Sequence, residues 1–415
     1  MRPMPQLKVD IDPAEVGLDA DRLGRMDRHF QRFVDDRKLP GWLLAVSRHG
    51  QLAHLGTYGQ RDIEAGLPVE TDTIWRIYSM TKPITAVAAM VLWEQGGFEL
   101  NDLVRHHIPS FGGLRVWRGG TSVRPETEPV TEDMRVWHLL THTSGLTYGF
   151  MQSHPVDALY RQAGLEWGVP DGLDLAGVCD ALARLPLVFQ PGTEWNYGMS
   201  TDVLGMVVEA ASGVPFAEFV QTNVLDPLGM DDTVWSVPDD RAARLAALYI
   251  PTPGIGDVMR YDAMGAPARV APTATLGGGG LCSTAGDYVR FAEMLRGRGE
   301  LDGVRILAAG TVDYMATNHL PGGADLTAFG RPLFSETTFD GVGFGLGVSV
   351  TLDPVAAKVP GSIGDHGWGG AASTSYWVDP VRDLSVVFMT QLLPSSTLPI
   401  RSKLKQLLHA AIVET

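Results

Sequence analysis

The sequence predicts an α/β fold in which both ends of the chain build one antiparallel sheet flanked by helices, with an inserted, mostly helical domain. Three observations predict it: a helix and a β-hairpin near the N-terminus, several strands and a helix near the C-terminus, and helical patterns broken by Gly- and Pro-rich loops between them. We therefore expect a discontinuous α/β domain at residues 1–98 and 265–415 and a helical domain at residues 99–264.

The N-terminal part begins with an amphipathic helix and continues into a hairpin. Asp19 is placed to cap a helix that runs to about Asp36. Its apolar residues share one face: Leu23, Met26, Phe30 and Phe33. Two strand-like segments follow, Trp42–Arg48 and Gln51–Gly59, and the His49-Gly50 turn between them predicts a hairpin.

The middle of the chain carries helix signals. Residues 84–95 are apolar nearly all round, which predicts a fully buried helix. Ser200 is expected to cap a second helix that ends at Gly213. Thr284 and Asp287 form a capping-box pattern that predicts the start of a third.

The C-terminal part is dominated by strand patterns. Phe344–Leu352, Ser373–Val378 and Leu384–Leu392 are rich in apolar residues typical of strands, and an amphipathic helix is expected over about 398–413. These strands are expected to join the N-terminal hairpin in one sheet, with the terminal helices covering it.

Composition and charge exclude several classes of protein. The chain has 415 residues, 45% of them hydrophobic and 20% charged, which are the values of a globular protein with a large core. Its net charge of −15 argues against nucleic acid and anionic membrane surfaces as partners. The longest apolar run, Ile84–Trp93, is too short to span a bilayer, and the N-terminus lacks the apolar core of a signal peptide. We therefore expect no membrane association and a cytoplasmic location.

Ser79 and Lys82 form the strongest chemical signal. Residues three apart share a helix face, so Ser79 Oγ and Lys82 Nζ can converge at the start of the predicted buried helix. Burial and the positive end of the helix both favour the neutral amine, which can take the serine proton and create a nucleophile. A second match to the same pattern, Ser402–Lys405, lies in the terminal helix and is predicted to be solvated surface.

Two further segments carry candidate site residues. Tyr197 lies on a turn just before a predicted helix, where its phenol is able to exchange a proton with Lys82. The segment Gly364–Ala372 is rich in glycine, which allows close approach of a ligand to the backbone. The amides of Ser79 and Ala371 are candidates for an oxyanion hole.

Together these segments resemble the class C β-lactamase and penicillin-binding-protein superfamily, and within it the family VIII carboxylesterases. The resemblance covers about residues 15–410, and four further stretches support it: 139–146, 191–205, 277–284 and 367–372. It implies a β-lactamase-like fold with Ser79 as the acylated nucleophile, Lys82 as its activator and Tyr197 as a partner in proton transfer. Trp368, Gly369 and Gly370 match the segment that is Lys-Thr-Gly in β-lactamases, and Ala371 falls at the second oxyanion amide.

Two departures from the lactamase pattern bear on the substrate. Met199 stands where the Tyr-x-Asn motif has asparagine, and Trp368 stands where lactamases have lysine. Both changes replace polar recognition by apolar surface, which favours neutral esters over anionic β-lactams. His366 is a candidate source of some positive charge, and Tyr148 and Phe150 are candidates to line an acyl or alcohol pocket or to lie in the core.

The sequence thus predicts a serine carboxylesterase that acts on short-chain esters, with a small-molecule ester as its partner. The resemblance implies no cofactor, and no spacing of histidines or cysteines predicts a metal site. Other substrates of the same nucleophile stay open, namely β-lactams, D-amino-acid peptides, amides and acyl transfer to alcohols. A catalytically idle binding or scaffold protein is the alternative outside enzymes, and the oligomeric state is left open.

Overall fold

A computed structural model of the chain describes residues 7–170, 172–331 and 339–413. Its centre is an eight-stranded antiparallel sheet built from both ends of the chain, as the sequence predicts. Numbered along the chain, its strands are β1 (Gly41–Arg48), β2 (Gln51–Asp62), β3 (Leu67–Pro68), β4 (Val342–Phe344), β5 (Ser349–Thr351), β6 (His366–Gly369), β7 (Ser375–Asp379) and β8 (Leu384–Thr390). Their spatial order is β4-β5-β6-β7-β8-β1-β2-β3, so β1 pairs with both β2 and β8.

Helices cover both faces of this sheet. The α-helices of five or more residues in the described chain are α1 (Ala20–Asp35), α2 (Thr81–Glu94), α3 (Val136–Leu140), α4 (Pro155–Gln162), α5 (Leu175–Ala183), α6 (Ser200–Ser212), α7 (Phe216–Val220), α8 (Ala285–Arg296), α9 (Ala309–Met315) and α10 (Ile400–Ala411). Shorter helical segments cover Val104–His107, Asp226–Leu228, Asp262–Gly265, Leu326–Phe329 and Pro354–Ala357. Small two-stranded sheets pair Ile74–Arg76 with Cys282–Thr284, Arg115–Thr121 with Arg124–Pro129, Tyr249–Pro251 with Val258–Arg260, and Glu300–Leu301 with Val304–Arg305.

The central strands are buried on both faces, and their side chains alternate between two cores. In β1, Leu44 and Val46 face the core shared with α1 and α10, whereas Leu43 and Ala45 face the core shared with α2 and α8. This alternation fixes the register of the sheet, because a shift by one residue would exchange the two sets. The sheet therefore holds α2, which carries the candidate nucleophile region, at a defined position.

The N-terminal predictions are confirmed closely. Asp19 caps α1 through its side chain, which accepts from the Arg22 amide at 2.9 Å, and the hairpin forms as β1 and β2. The buried helix appears as α2, with residues 81–92 buried.

Three of the helix and strand predictions are corrected by the structure. Ser200 is the first residue of α6 rather than its cap, and its hydroxyl forms a hydrogen bond with that of Ser144 at 2.8 Å instead.

Thr284 caps α8, but Asp287 does not complete the capping box, because its carboxylate accepts from the amide of Asp232 and the hydroxyl of Thr233. The predicted strand Phe344–Leu352 is the hairpin of β4 and β5, whose turn includes a positive φ of 86° at Gly347.

The segment predicted to be helical also contains strands. The hairpins Arg115–Thr121 with Arg124–Pro129 and Tyr249–Pro251 with Val258–Arg260 were not expected there. The largest core cluster contains residues from both predicted domains, and the domain boundaries stay a prediction. Within the described residues no single helix is long and apolar enough to cross a membrane; one pair, Ser200–Ser212 with Phe216–Leu228, meets that test only jointly, across an 85° bend.

Candidate active site

Ser79 lies on a tight turn between a short strand and α2. The strand Ile74–Arg76 pairs with Cys282–Thr284, and the chain then turns through a single 3₁₀ turn, Tyr78–Met80, directly into the helix. Tyr78 has a φ of 44°, which is unusual for a residue with a side chain and marks a sharply constrained backbone. The Tyr288 hydroxyl holds the far side of the turn by donating to the Met80 carbonyl at 2.8 Å. Ser79 is thereby presented at the amino end of α2.

Lys82 is buried with three polar neighbours around its amine. Its Nζ lies 3.2 Å from Ser79 Oγ, 3.0 Å from the Tyr148 hydroxyl and 2.5 Å from the Gly278 carbonyl oxygen. The carbonyl only accepts, so one N–H of Lys82 is committed to it. A neutral amine still has a second N–H and a lone pair for the two hydroxyls. The geometry therefore allows Lys82 to accept the Ser79 proton while it keeps its hydrogen bond to the Gly278 carbonyl.

Two tyrosines flank Lys82, and their positions differ from the prediction. The Tyr148 hydroxyl contacts Lys82 Nζ directly, whereas Tyr197 presents its ring face, with its centroid 4.6 Å from Nζ. The Tyr197 hydroxyl accepts from the Trp368 indole N–H at 3.2 Å. Burial raises the pKa of Tyr148 well above its usual value, so its hydroxyl keeps its proton at neutral pH. No local sequence pattern signals the Lys82–Tyr148 contact, because 66 residues separate the two.

A second layer of buried polar groups lies behind Lys82. Asp202, in the first turn of α6, accepts from the Gly278 amide at 2.8 Å and so helps to fix the residue whose carbonyl holds Lys82. Burial raises the pKa of Asp202, and the nearby Lys82 opposes this shift. His142 packs against the Tyr197 ring at a centroid distance of 4.9 Å, and complete burial lowers its pKa well below the usual value. His142 is therefore neutral over the ordinary pH range.

The two candidate oxyanion donors are the backbone amides of Ser79 and Ala371. Among the described residues neither amide has an intramolecular acceptor, and both residues line the same cavity. A Cβ at Gly370 would lie 2.5 Å from the Ile77 carbonyl oxygen, and one at Gly369 would lie 2.5 Å from the Arg401 Cζ. Other parts of the protein therefore approach the loop closely at these glycines, and the close approach of a ligand to the same backbone stays a prediction.

The cavity beside Ser79 has a volume of about 190 Å³. Of the residues proposed from sequence, it is lined by Ser79, Phe150, Tyr197, Trp368, Gly369, Gly370 and Ala371. Apolar walls come from Phe339, Val342 and Val359, and a polar end comes from Asp365, Arg401 and Lys405. The aromatic wall continues outward, because Phe150 stacks on both Tyr148 and the half-exposed Trp167.

Three predicted substrate-binding residues do not line the cavity in the described part of the chain: Tyr148, Met199 and His366. Tyr148 contacts Lys82 instead. Met199 is 3% exposed, packs in the largest core cluster and does not line the cavity formed by the described residues. His366 lies on β6 and lines a separate small void with Pro83 and Val87. Burial lowers the pKa of His366, so it does not supply the positive charge suggested from sequence.

The second Ser-x-x-Lys match is not solvated surface as predicted. Ser402 and Lys405 both line the cavity, yet they are not paired with each other. The Ser402 hydroxyl donates to the Pro399 carbonyl at 3.3 Å, and Lys405 Nζ binds both carboxylate oxygens of buried Asp365, at 2.8 and 2.9 Å. Lys405 is thus held by an ion pair instead of facing a serine hydroxyl.

An antiparallel sheet built from both chain ends, with a Ser-x-x-Lys turn leading into a buried helix beside it, is the architecture of the serine hydrolases of the β-lactamase type. The chain belongs to the β-lactamase family, whose profile it matches over residues 26–410.

Similar proteins support the same superfamily. Protein Rv1367c of Mycobacterium tuberculosis is 38% identical over 360 residues, which cover 86% of each chain. Esterase EstB of Burkholderia gladioli is 32% identical over 399 residues, covering 92% of this chain and 93% of the esterase. Among solved structures, EstCE1, described as a hydrolase with promiscuous acyltransferase activity, superposes with a TM-score of 0.78 at 26% identity, covering 94% of this chain and 99% of EstCE1.

Proposed function

We propose that this protein is a serine carboxylesterase that hydrolyses short-chain carboxylic esters through an acyl-enzyme on Ser79. The observation that carries the proposal is the 3.2 Å separation of buried Lys82 Nζ from the hydroxyl of Ser79, a residue that lines a largely apolar cavity. Similarity to an esterase over nearly the whole chain supports an ester as the substrate.

Acylation follows from this geometry. Neutral Lys82 accepts the hydroxyl proton as Ser79 Oγ attacks the ester carbonyl carbon, and the carbonyl electron pair moves onto its oxygen. The Ser79 and Ala371 amides donate to that oxyanion, which gains more from them than the ground-state carbonyl does. The intermediate then collapses, the bond to the alkoxide breaks, and the proton held on Lys82 passes to the leaving alcohol.

Deacylation uses the same groups with water as the nucleophile. Water loses a proton to Lys82 as it attacks the acyl carbon, and the proton returns to Ser79 Oγ when the carboxylic acid leaves. Tyr148 holds the amine through its hydroxyl, while Tyr197 borders both Lys82 and the cavity. Tyr197, whose hydroxyl accepts from the Trp368 indole and whose ring faces Lys82, is assigned the partner role in proton transfer.

The cavity lining supports a neutral ester. Trp368, Phe150 and Phe339 supply apolar surface beside Ser79, and this surface favours short acyl or alcohol groups over charged ones. The Trp368 indole N–H also donates to the Tyr197 hydroxyl. This side chain therefore makes a hydrogen bond within the site, and it offers no cation to a substrate carboxylate.

Acyl transfer to an alcohol other than water is a second candidate. EstCE1 is described as a hydrolase with promiscuous acyltransferase activity, and an acyl-enzyme on Ser79 would partition between water and any alcohol that enters the same cavity. Adding an alcohol acceptor to the ester assay tests it: a new ester product, at the expense of free acid, supports transfer.

The deciding experiment is stopped-flow hydrolysis of p-nitrophenyl butyrate beside nitrocefin. We expect an ester rate far above the nitrocefin rate in the wild type, and no ester turnover in Ser79→Ala. Ser212→Ala, at the end of α6 and away from the cavity lining, is the control for a generic serine loss. Retained turnover in Ser79→Ala contradicts the mechanism, and dominant nitrocefin turnover contradicts the substrate class. A folded protein inactive on both favours the scaffold alternative.

A further inference from the structure

Arg401, near the start of α10, contacts the loop of residues 370–374, which follows β6 and carries the candidate oxyanion amide of Ala371. Its Nη2 donates to the Gly370 carbonyl at 3.0 Å and to the Thr374 carbonyl at 3.4 Å. The Ser373 amide donates to the same Gly370 carbonyl at 3.2 Å. The Gly370 carbonyl is therefore held from two sides, one of them by a cation.

The Gly370 carbonyl and the Ala371 N–H belong to one peptide unit. The two groups point in opposite directions because a trans peptide is planar. A cation bound at the carbonyl oxygen draws electron density from the nitrogen and makes the N–H a stronger donor. It also restrains rotation of the peptide plane, so the N–H keeps its direction while charge develops on a substrate oxygen.

We propose that Arg401 is a positioning residue that orients and polarises the Gly370–Ala371 peptide as the second donor of the oxyanion hole. The inference rests on the proposed acyl-enzyme function and identifies a residue that the sequence did not single out. Arg401 acts through the peptide and not by contact with the reacting atoms.

The packing around Gly369 supports this role. A side chain at Gly369 would collide with the guanidinium, since its Cβ would lie 2.5 Å from the Arg401 Cζ. On its other side the loop meets the turn that precedes Ser79, where Gly370 packs against the Ile77 carbonyl. The loop therefore lies between Ile77, in the turn that leads to Ser79, and Arg401. These contacts fix the Ala371 amide relative to the Ser79 amide.

The test compares Arg401→Met and Arg401→Lys with a matched control, Arg22→Met. Arg22 also donates a guanidinium N–H to a carbonyl, that of Ala410 at 2.6 Å, so its loss loosens the same terminal helix away from the cavity. Three quantities are measured on folded protein: kcat and KM for p-nitrophenyl butyrate, the inhibition constant of a short alkyl trifluoromethyl ketone, and the rate of inactivation by a fluorophosphonate. The ketone and the phosphonate both place an oxygen in the oxyanion hole.

We expect Arg401→Met to lower kcat about three- to tenfold and to leave KM within about twofold of the wild type. The loss of Arg401 weakens the Ala371 N–H as a donor but does not remove it, so the effect is smaller than that of losing an oxyanion donor. The ketone affinity and the inactivation rate should fall by the same factor, Arg401→Lys should recover part of the loss, and Arg22→Met should resemble the wild type. Unchanged kinetics in a folded variant overturn the inference, and so does a slower ester reaction with unchanged ketone affinity. If Arg401→Met does not fold, Arg401→Lys is compared with the wild type by the same criteria.

Failure of the proposed function is distinguishable from failure of this inference. If the wild type hydrolyses no ester, the esterase proposal falls, while the fluorophosphonate rate still reports how well the hole accepts an oxygen. If the ester is hydrolysed and the Arg401 variants match the wild type in all three quantities, only the role of Arg401 is wrong.

Discussion

At the scale of single residues, the predictable contacts are those within one helical turn. Ser79 and Lys82 were expected to converge because they lie three apart, and their polar atoms are 3.2 Å apart. The contacts of Tyr148 with Lys82 and of Arg401 with Gly370 join residues 66 and 31 positions apart. No local periodicity encodes such contacts, because they depend on how separate elements pack. Met199 and His366 were proposed as substrate-binding residues from their places in sequence segments, and neither side chain lines the cavity that the described residues form. A place in such a segment is therefore not enough to predict which side chains face the cavity.

The two tyrosines beside Lys82 are expected to differ in kinetic effect. Tyr148→Phe removes a hydrogen bond to the amine, which is worth about tenfold to hundredfold in kcat if the partner carries charge during the reaction. Tyr197→Phe removes the proposed proton-transfer partner and is expected to cost about 10²- to 10⁴-fold. Both are measured with p-nitrophenyl butyrate after titration of active sites.

Tyr58→Phe is the control for these variants, because its hydroxyl binds Asp35 on the protein surface. A Tyr148→Phe enzyme with wild-type kcat would show that the Tyr148 hydroxyl is dispensable. A loss larger for Tyr148→Phe than for Tyr197→Phe would exchange the roles assigned to the two tyrosines.

At the scale of elements, helices with a continuous apolar pattern were predicted well and polar hairpins were not. The α2 segment is apolar on all sides and is buried as expected. The hairpin of Arg115–Thr121 with Arg124–Pro129 is mostly exposed and carries charged residues, so it lacks the alternation by which a half-buried strand is recognised. The sequence pattern predicts one strand where the hairpin of β4 and β5 lies, because the turn contains the apolar residues Leu346 and Val348, which are also buried.

The start of α8 makes a pH-dependent contribution to stability. Burial raises the pKa of Asp287 to about 7 from an ordinary value of 3.8. Between these two values the folded protein binds the proton more tightly than the unfolded chain does. The free energy of unfolding therefore falls as pH rises through this window, with a slope of up to about 1.4 kcal/mol per pH unit from this group.

Asp287→Asn should remove this component, because the amide oxygen still accepts hydrogen bonds but carries no titrating proton. The measurement is urea unfolding of the wild type and the variant at intervals from pH 4 to pH 8. The difference in unfolding free energy should shift in favour of the variant as pH rises. Asp174→Asn, at the exposed start of α5, controls for replacing a carboxylate near a helix start by an amide where the carboxylate is not buried. Parallel curves for wild type and Asp287→Asn would contradict the prediction.

At the scale of the whole molecule, both chain ends serve the same sheet and the same site. The isolated bridge between Leu18 and Ile412 and the packing of α1 against α10 bring the termini together on one face. The sequence predicted this arrangement, because strand patterns occur at both ends. It did not predict that α10 turns Arg401 and Lys405 towards the cavity. An amphipathic pattern identifies the buried face of a helix, but the polar residues beside that face give no indication of what they contact.

The ion pair of Lys405 with Asp365 links α10 to the strand that bears the glycine-rich loop. Asp365 is 2% exposed and binds Lys405 Nζ through both oxygens, and the Thr351 hydroxyl on β5 donates to the same carboxylate. Lys405→Met leaves this carboxylate buried without its cation, and we expect a loss of about 3–5 kcal/mol in the free energy of unfolding. The double variant Lys405→Met with Asp365→Asn should recover much of that loss, because no unpaired charge is left.

Lys403→Met is the matched control, since Lys403 lies on the same helix and its amine donates to the side chain of Gln406 at the surface. Chemical unfolding of the wild type, Lys405→Met, Asp365→Asn and the double variant gives the coupling energy between Lys405 and Asp365. A coupling near zero would mean that the pair does not hold α10 against the sheet. A large coupling accompanied by slower fluorophosphonate inactivation would mean that the same pair also keeps Arg401 in place at the Gly370 carbonyl, since the two cations project from one helix onto residues at the two ends of β6.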